Sequence, residues 1–166
     1  MFIKSEASPD ELNSPFYIKN QELCLLWEKY ILERGGKITG SYSCSAYIIK
    51  AKVKIYKTWV IDVKKASYTS GNLLLSSKYQ SLQEHLTFKT LIKNSGCCDF
   101  YIKNGEIRQG QSKHPLFQSI KDLLIDGFKN NNLNQVRFEK EVLSVVFHYQ
   151  NDWFEMVDKI LDYRYP

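Results

Sequence analysis

Arginine is scarce in this chain. Of 23 basic residues only Arg34, Arg108, Arg137 and Arg164 carry a guanidinium, and the rest are point-charge lysines without the bidentate fork that reads bases and clamps phosphates. Sequence-specific nucleic-acid recognition is therefore disfavoured. Cysteine is equally sparse. Cys24, Cys44, Cys97 and Cys98 are too few and too irregular for the disulfide framework of a small secreted domain, and free thiols in a reducing compartment are expected. There is no Cys-x-x-Cys and no His-x-x-x-His spacing, so neither a metal nor a cofactor is expected. Long hydrophobic runs are absent too, every run falling far short of the roughly 18 residues of a membrane span. The opening MFIKSEASPDELNSPF carries acids and two prolines where an export signal needs positive charge and then an apolar stretch. The expectation is a cytoplasmic protein without membrane insertion. The pair Gly35-Gly36 lacks the further glycines and the Lys-Ser/Thr of a phosphate loop. No internal repeat and no low-complexity block stands out.

What is present describes an ordinary globular chain. It has 166 residues, 43% hydrophobic and 25% charged, enough to bury one core. Aromatics are in excess, with 11 Tyr, 9 Phe and 3 Trp, each bringing a large area for burial or binding. The net charge of +5 is concentrated. Residues 47 to 68 hold Lys50, Lys52, Lys54, Lys57, Lys64 and Lys65 against Asp62 alone, which accounts for the whole excess.

Hydrophobic periodicity sets the element order. Residues 1–19 read as a loosely ordered arm, with a capped turn at Ser8-Pro9-Asp10-Glu11 that Pro15 stops. Residues 20–166 read as one α+β domain. Its first helix starts at Asn20 as N-cap, puts Leu23, Leu26, Trp27, Tyr30 and Ile31 on one face, and ends at Gly35-Gly36. From Lys37 the period becomes two, with Ile38, Tyr42 and Cys44 on one side. Residues 47 to 56 alternate Ile49, Ala51, Val53 and Ile55 with Lys50, Lys52 and Lys54. Further strands are expected at 58–63, 72–80 and 98–103, the last turning back through Asn104-Gly105 into 106–109, while residues 82–93 fit either helix or strand, with strand preferred over 86–92. A helix from Pro115 to about Phe128, strands at 136–139 and 142–149, and a helix from Asn151 complete the chain. The expected fold is α+β: a mostly antiparallel sheet of about six to eight strands with about three helices packed on it.

Two constellations bear chemistry. The lysine-rich strands offer Lys50, Lys52, Lys54, Tyr56, Lys57 and Lys64, extended by Trp59, as phosphate-binding charge mixed with stacking surface. The competing and favoured reading is a row of lysines that solvates an open sheet face and blunts strand-to-strand aggregation. Cys97-Cys98-Asp99 supplies a nucleophile only if a base such as His85, His114 or His148 comes near; small buried hydrophobes are the simpler account. His148 shares parity with Val142 and Val146, which points to a packed imidazole. No carboxylate pair has the placement of an acid and a base. The best functional reading is a small non-catalytic interaction domain, its partner another protein or a second copy. Binding of nucleic acid or an anionic surface is the alternative, and an enzyme with an unrecognised pocket the third. An interaction domain requires an apolar patch on the folded surface.

Overall fold

The computed structural model describes residues 2–67, 82–103, 106–110, 113–124, 133–148 and 154–164. Among these residues three helices, α1 (Pro15–Glu33), α2 (Pro115–Leu123) and α3 (Phe154–Leu161), accompany nine strands. These are β1 (Ile3–Ser5), β2 (Lys37–Tyr42), β3 (Tyr47–Lys54), β4 (Thr58–Ser67), β5 (Leu82–Leu91), β6 (Phe100–Lys103), β7 (Glu106–Gln109), β8 (Leu133–Glu139) and β9 (Val142–His148). They hydrogen-bond in the order β1-β2-β3-β4-β5-β9-β8-β6-β7. The α+β class and the mostly antiparallel sheet are as expected, with a strand count slightly higher. Contacts group the chain into two units, residues 1–52 with 62–85, and residues 53–61 with 86–166.

In the first unit the segment read as an arm carries structure. Ile3, fully buried, lies in β1, which pairs in parallel with β2 in the register Ile3 to Gly40. Its entry is held by Glu28, whose carboxylate accepts the N–H groups of Phe2 and Ile3 at 3.2 Å each. A 3-10 turn follows at Pro9–Glu11, with the Ser8 N–H donating to the Glu11 carboxylate at 3.2 Å. Pro15 does not stop this segment but begins α1: Ser14 is the N-cap, its hydroxyl accepting the Phe16 N–H. A proline at the first helical position loses no hydrogen bond, and its fixed φ suits the helix.

Asn20, expected as the cap, is buried mid-helix instead. Its Nδ2 donates to the carbonyls of Ser43 and Cys44 at 2.9 and 3.4 Å, tying α1 to the turn between β2 and β3. Cys44 accordingly belongs to that turn and not to the strand face. The buried stripe of α1 is Tyr17, Asn20, Cys24, Trp27, Tyr30 and Ile31, and Leu26 of the expected face is 54% exposed. The helix closes as expected. Gly35 takes φ +70°, and the Gly36 N–H reaches back to the Ile31 carbonyl at 3.0 Å, a left-handed closure that glycine adopts without strain. Tyr17 and Tyr42 pack with ring centroids 5.5 Å apart, and Gln21 donates to the Tyr42 hydroxyl, so α1 covers the Ile38/Tyr42 side of the strands.

The second unit is built on aromatic contacts. Phe88 meets both Trp59 and Phe147 edge-on, at 6.3 and 6.0 Å, and Phe100 meets Phe117 of α2 and Phe138 of β8 at 5.1 and 5.5 Å. Edge-to-face pairs align ring edge with ring face and add to the burial of each ring. Thr90, buried on β5, donates to the Thr58 carbonyl at 2.9 Å. β6 pairs antiparallel with β7 through Lys103 to Glu106, the expected hairpin, whose Asn104-Gly105 turn lies outside the described residues. So do the expected strand 72–80, residues 125–128 of the expected second helix and the Asn151 cap. α2 is capped by His114, whose Nδ1 accepts the Leu116 N–H at 3.0 Å, and the Tyr163 and Ser119 hydroxyls bond at 2.9 Å.

Candidate functional site

The first unit presents two surfaces of opposite character. On the sheet side, β3 alternates strictly: Tyr47, Ile49 and Ala51 are buried, while Ile48, Lys50 and Lys52 are exposed. The antiparallel register with β2 puts Lys37 directly opposite Lys52 and Thr39 opposite Lys50. Two ammonium groups thus share a cross-strand pair, an arrangement that costs stability, because cross-strand neighbours stand only about 4.5–5.5 Å apart at Cβ. Neither lysine makes an ion pair among the described residues. Lys37 was not a sequence candidate. It lies ten residues before the lysine-rich stretch, and only the strand register reveals its place.

The six sequence candidates separate between the units. Lys50, Lys52 and Lys64 belong to the first, Lys54, Tyr56 and Lys57 to the second. Lys64 is half-buried on β4 and already engaged with a neighbour. Tyr56 is 47% exposed, and the Arg164 guanidinium lies 3.8 Å from its ring centroid, so a cation already occupies one ring face. Trp59 does not extend this surface. It is fully buried against Phe88, because strand alternation from Thr58 turns it toward the core.

The helix side of the same unit carries a line of exposed apolar residues. Ile18, Leu25 and Leu32 are 45%, 46% and 42% exposed. Their seven-residue spacing places them within about 20° of one line along α1, about 10 Å apart. Exposed Glu22 and Lys29 flank that line on one side, by the 100° advance per residue. Where the line ends, Phe2, Leu32, Gly36, Lys37, Ile38 and Thr39 border an apolar groove of about 390 Å³. Helix α1 is therefore apolar on two faces, and the inner stripe alone serves the core.

Burial, then the charges of Cys98 and Asp99, push the Cys97 thiol above its ordinary value, and the Cys97 thiol donates to the Cys98 carbonyl at 3.3 Å. His114 does approach this loop. A Cβ added to Gly96 would lie 4.0 Å from its Nε2. Its Nδ1 is the acceptor that caps α2, which places the neutral ring's proton on Nε2 and leaves no lone pair there to take one from a thiol. Burial, with the Glu28 charge adding, pushes Cys24 up to about 12. Among the described residues no cluster of His, Cys, Asp or Glu has the makings of a metal site, and no helix is long and apolar enough to cross a membrane.

No protein-family model, curated protein or solved structure matches this chain. Residue roles therefore rest on geometry alone.

Proposed function

We propose that this chain is a non-catalytic interaction domain and that the outer face of α1 is the surface it presents to a partner. One observation carries the reading: the line Ile18, Leu25, Leu32, exposed at heptad spacing on a helix whose other side already fills the core. Scattered surface leucines need no explanation, but aliphatic side chains aligned over two heptads form a seam. A seam one residue wide matches another amphipathic helix, whose own row of side chains fills the spaces between them.

The test is a photo-crosslinking amino acid at position 25 in the full chain, irradiated in living cells, with position 50 as the control. A discrete adduct from position 25 alone supports the reading. No adduct, or the same pattern from both positions, overturns it.

A second reading is favoured by the facing ammonium groups of Lys37 and Lys52 beside Lys50. Such a face binds an anionic polymer or surface through counterion release, with affinity that falls steeply as salt rises. Labelled single-stranded and duplex nucleic acid, titrated by anisotropy at two salt concentrations, tests it; no binding at low salt retires it.

A further inference from the structure

We infer that the helix received by α1 is α1 of a second copy, lying antiparallel across a two-fold axis at Leu25. This rests on the interaction reading above and names its partner. In that arrangement Leu25 meets Leu25 of the second copy, and Ile18 meets Leu32 at both ends, giving three aliphatic layers from residues that are each more than two-fifths exposed in the single chain. A two-fold interface uses the same patch on both subunits, so the patch has to complement itself.

The charges decide the direction. Glu22 and Lys29 lie on the same flank, three residues before and four residues after Leu25. Antiparallel pairing keeps that flank on the same side in both copies, so Glu22 of each stands beside Lys29 of the other, forming two opposite-charge pairs. Parallel pairing would turn that flank to the far side of the second copy, setting Glu22 beside neutral Gln21 and Lys29 beside Glu28, so no reciprocal Glu22–Lys29 pairs form, and flanking charges of this kind set orientation in paired helices. The opposite flank offers no competing partner. Gln21 is neutral there, and the Glu28 carboxylate is committed to the N–H groups of Phe2 and Ile3. The apolar groove beside Leu32 continues the seam and faces the end of the second copy at which Leu12 is 47% exposed. A contact of one helix per copy is smaller than a standard interface, so a reversible dimer of micromolar strength is expected.

Sedimentation velocity on the purified full chain over a concentration series tests the inference. The expected result is a monomer–dimer equilibrium that Leu25→Lys abolishes without changing the far-UV circular dichroism, or the melting temperature at concentrations where the wild type is monomeric. Glu22→Lys and Lys29→Glu should each weaken the dimer on the order of tenfold, since two attractive pairs become two repulsive ones. The double variant Glu22→Lys/Lys29→Glu should return to wild-type strength. That rescue is specific to antiparallel self-pairing. A monomer at every concentration, a dimer indifferent to Leu25→Lys, or a double variant no stronger than the singles overturns it. A position-25 crosslink to a different protein, with the purified chain monomeric, overturns self-pairing and leaves the interaction surface standing; no crosslink and no dimer overturns both.

Discussion

Replacing Lys52 by glutamate should stabilise this protein, although the residue is exposed and part of a candidate surface. Lys52 faces Lys37 across the β2–β3 ladder, so the substitution turns a like-charge pair into an opposite one. With the charged ends about 7 Å apart in water, Coulomb's law gives about 0.6 kcal/mol for each sign, a swing of about 1 kcal/mol at low ionic strength. At physiological salt the Debye length of about 8 Å cuts this to about half. For a chain of this size the low-salt gain corresponds to roughly 2–4 °C in melting temperature. Two controls sharpen it. Lys52→Gln removes repulsion without adding attraction and should give about half the gain, and Lys50→Glu, which faces Thr39, should give less than Lys52→Glu. Thermal unfolding followed by circular dichroism at two salt concentrations is the assay. A Lys52→Glu protein no more stable than wild type at low salt, or a gain indifferent to salt, would refute the reasoning. If the same variant also loses affinity for nucleic acid, the facing lysines are a binding surface kept at a cost in stability, a pattern common at functional sites.

Two further outcomes follow from the first unit. Gly40→Ala should destabilise by about 1–3 kcal/mol, because the added Cβ would collide with the Ile48 carbonyl and crowd the Ile49 Cα at 3.1 Å; a urea midpoint equal to wild type would contradict it. Cys24 should make stability fall as pH rises between its ordinary value of 9.0 and about 12. In that window the folded protein keeps a proton that the unfolded chain releases, so the contribution is intact below pH 9 and lost toward pH 12. Urea midpoints across this range should decline less steeply in Cys24→Ala than in wild type, and parallel declines would count against it.

Much of the architecture was legible because local physics imposes it. The period-two pattern of residues 47–54 places lysines opposite apolar side chains whatever the neighbouring strand, and Gly35 closes α1 because left-handed backbone strains other residues. The class, the strands 58–63, 100–103 and 106–109, and the helix starting at Pro115 follow from the same periodicities and turn residues. Local signals misled at the N-terminus. Ser14-Pro15 starts a helix as well as ending a turn, and Asn20 was read as a cap when its amide holds a turn 23 residues away.

The two candidate surfaces were only partly legible, for a physical reason. Helix α1 carries apolar residues on two faces, and periodicity cannot say which faces the core; that was decided when Tyr17 packed on Tyr42 and Trp27 was buried, leaving Ile18, Leu25 and Leu32 outside. Strand parity told that Lys50 and Lys52 share a face, but the register that sets Lys37 against Lys52 is a relation between two strands, and it exists only once they pair. Likewise Trp59 and Tyr56 are both aromatic in sequence, and only packing made one a core residue and placed an arginine over the other. By itself the sequence determined which elements form and where the charge lies. Tertiary structure decided which apolar face was left over, because burial is settled by competition among all the faces that need covering.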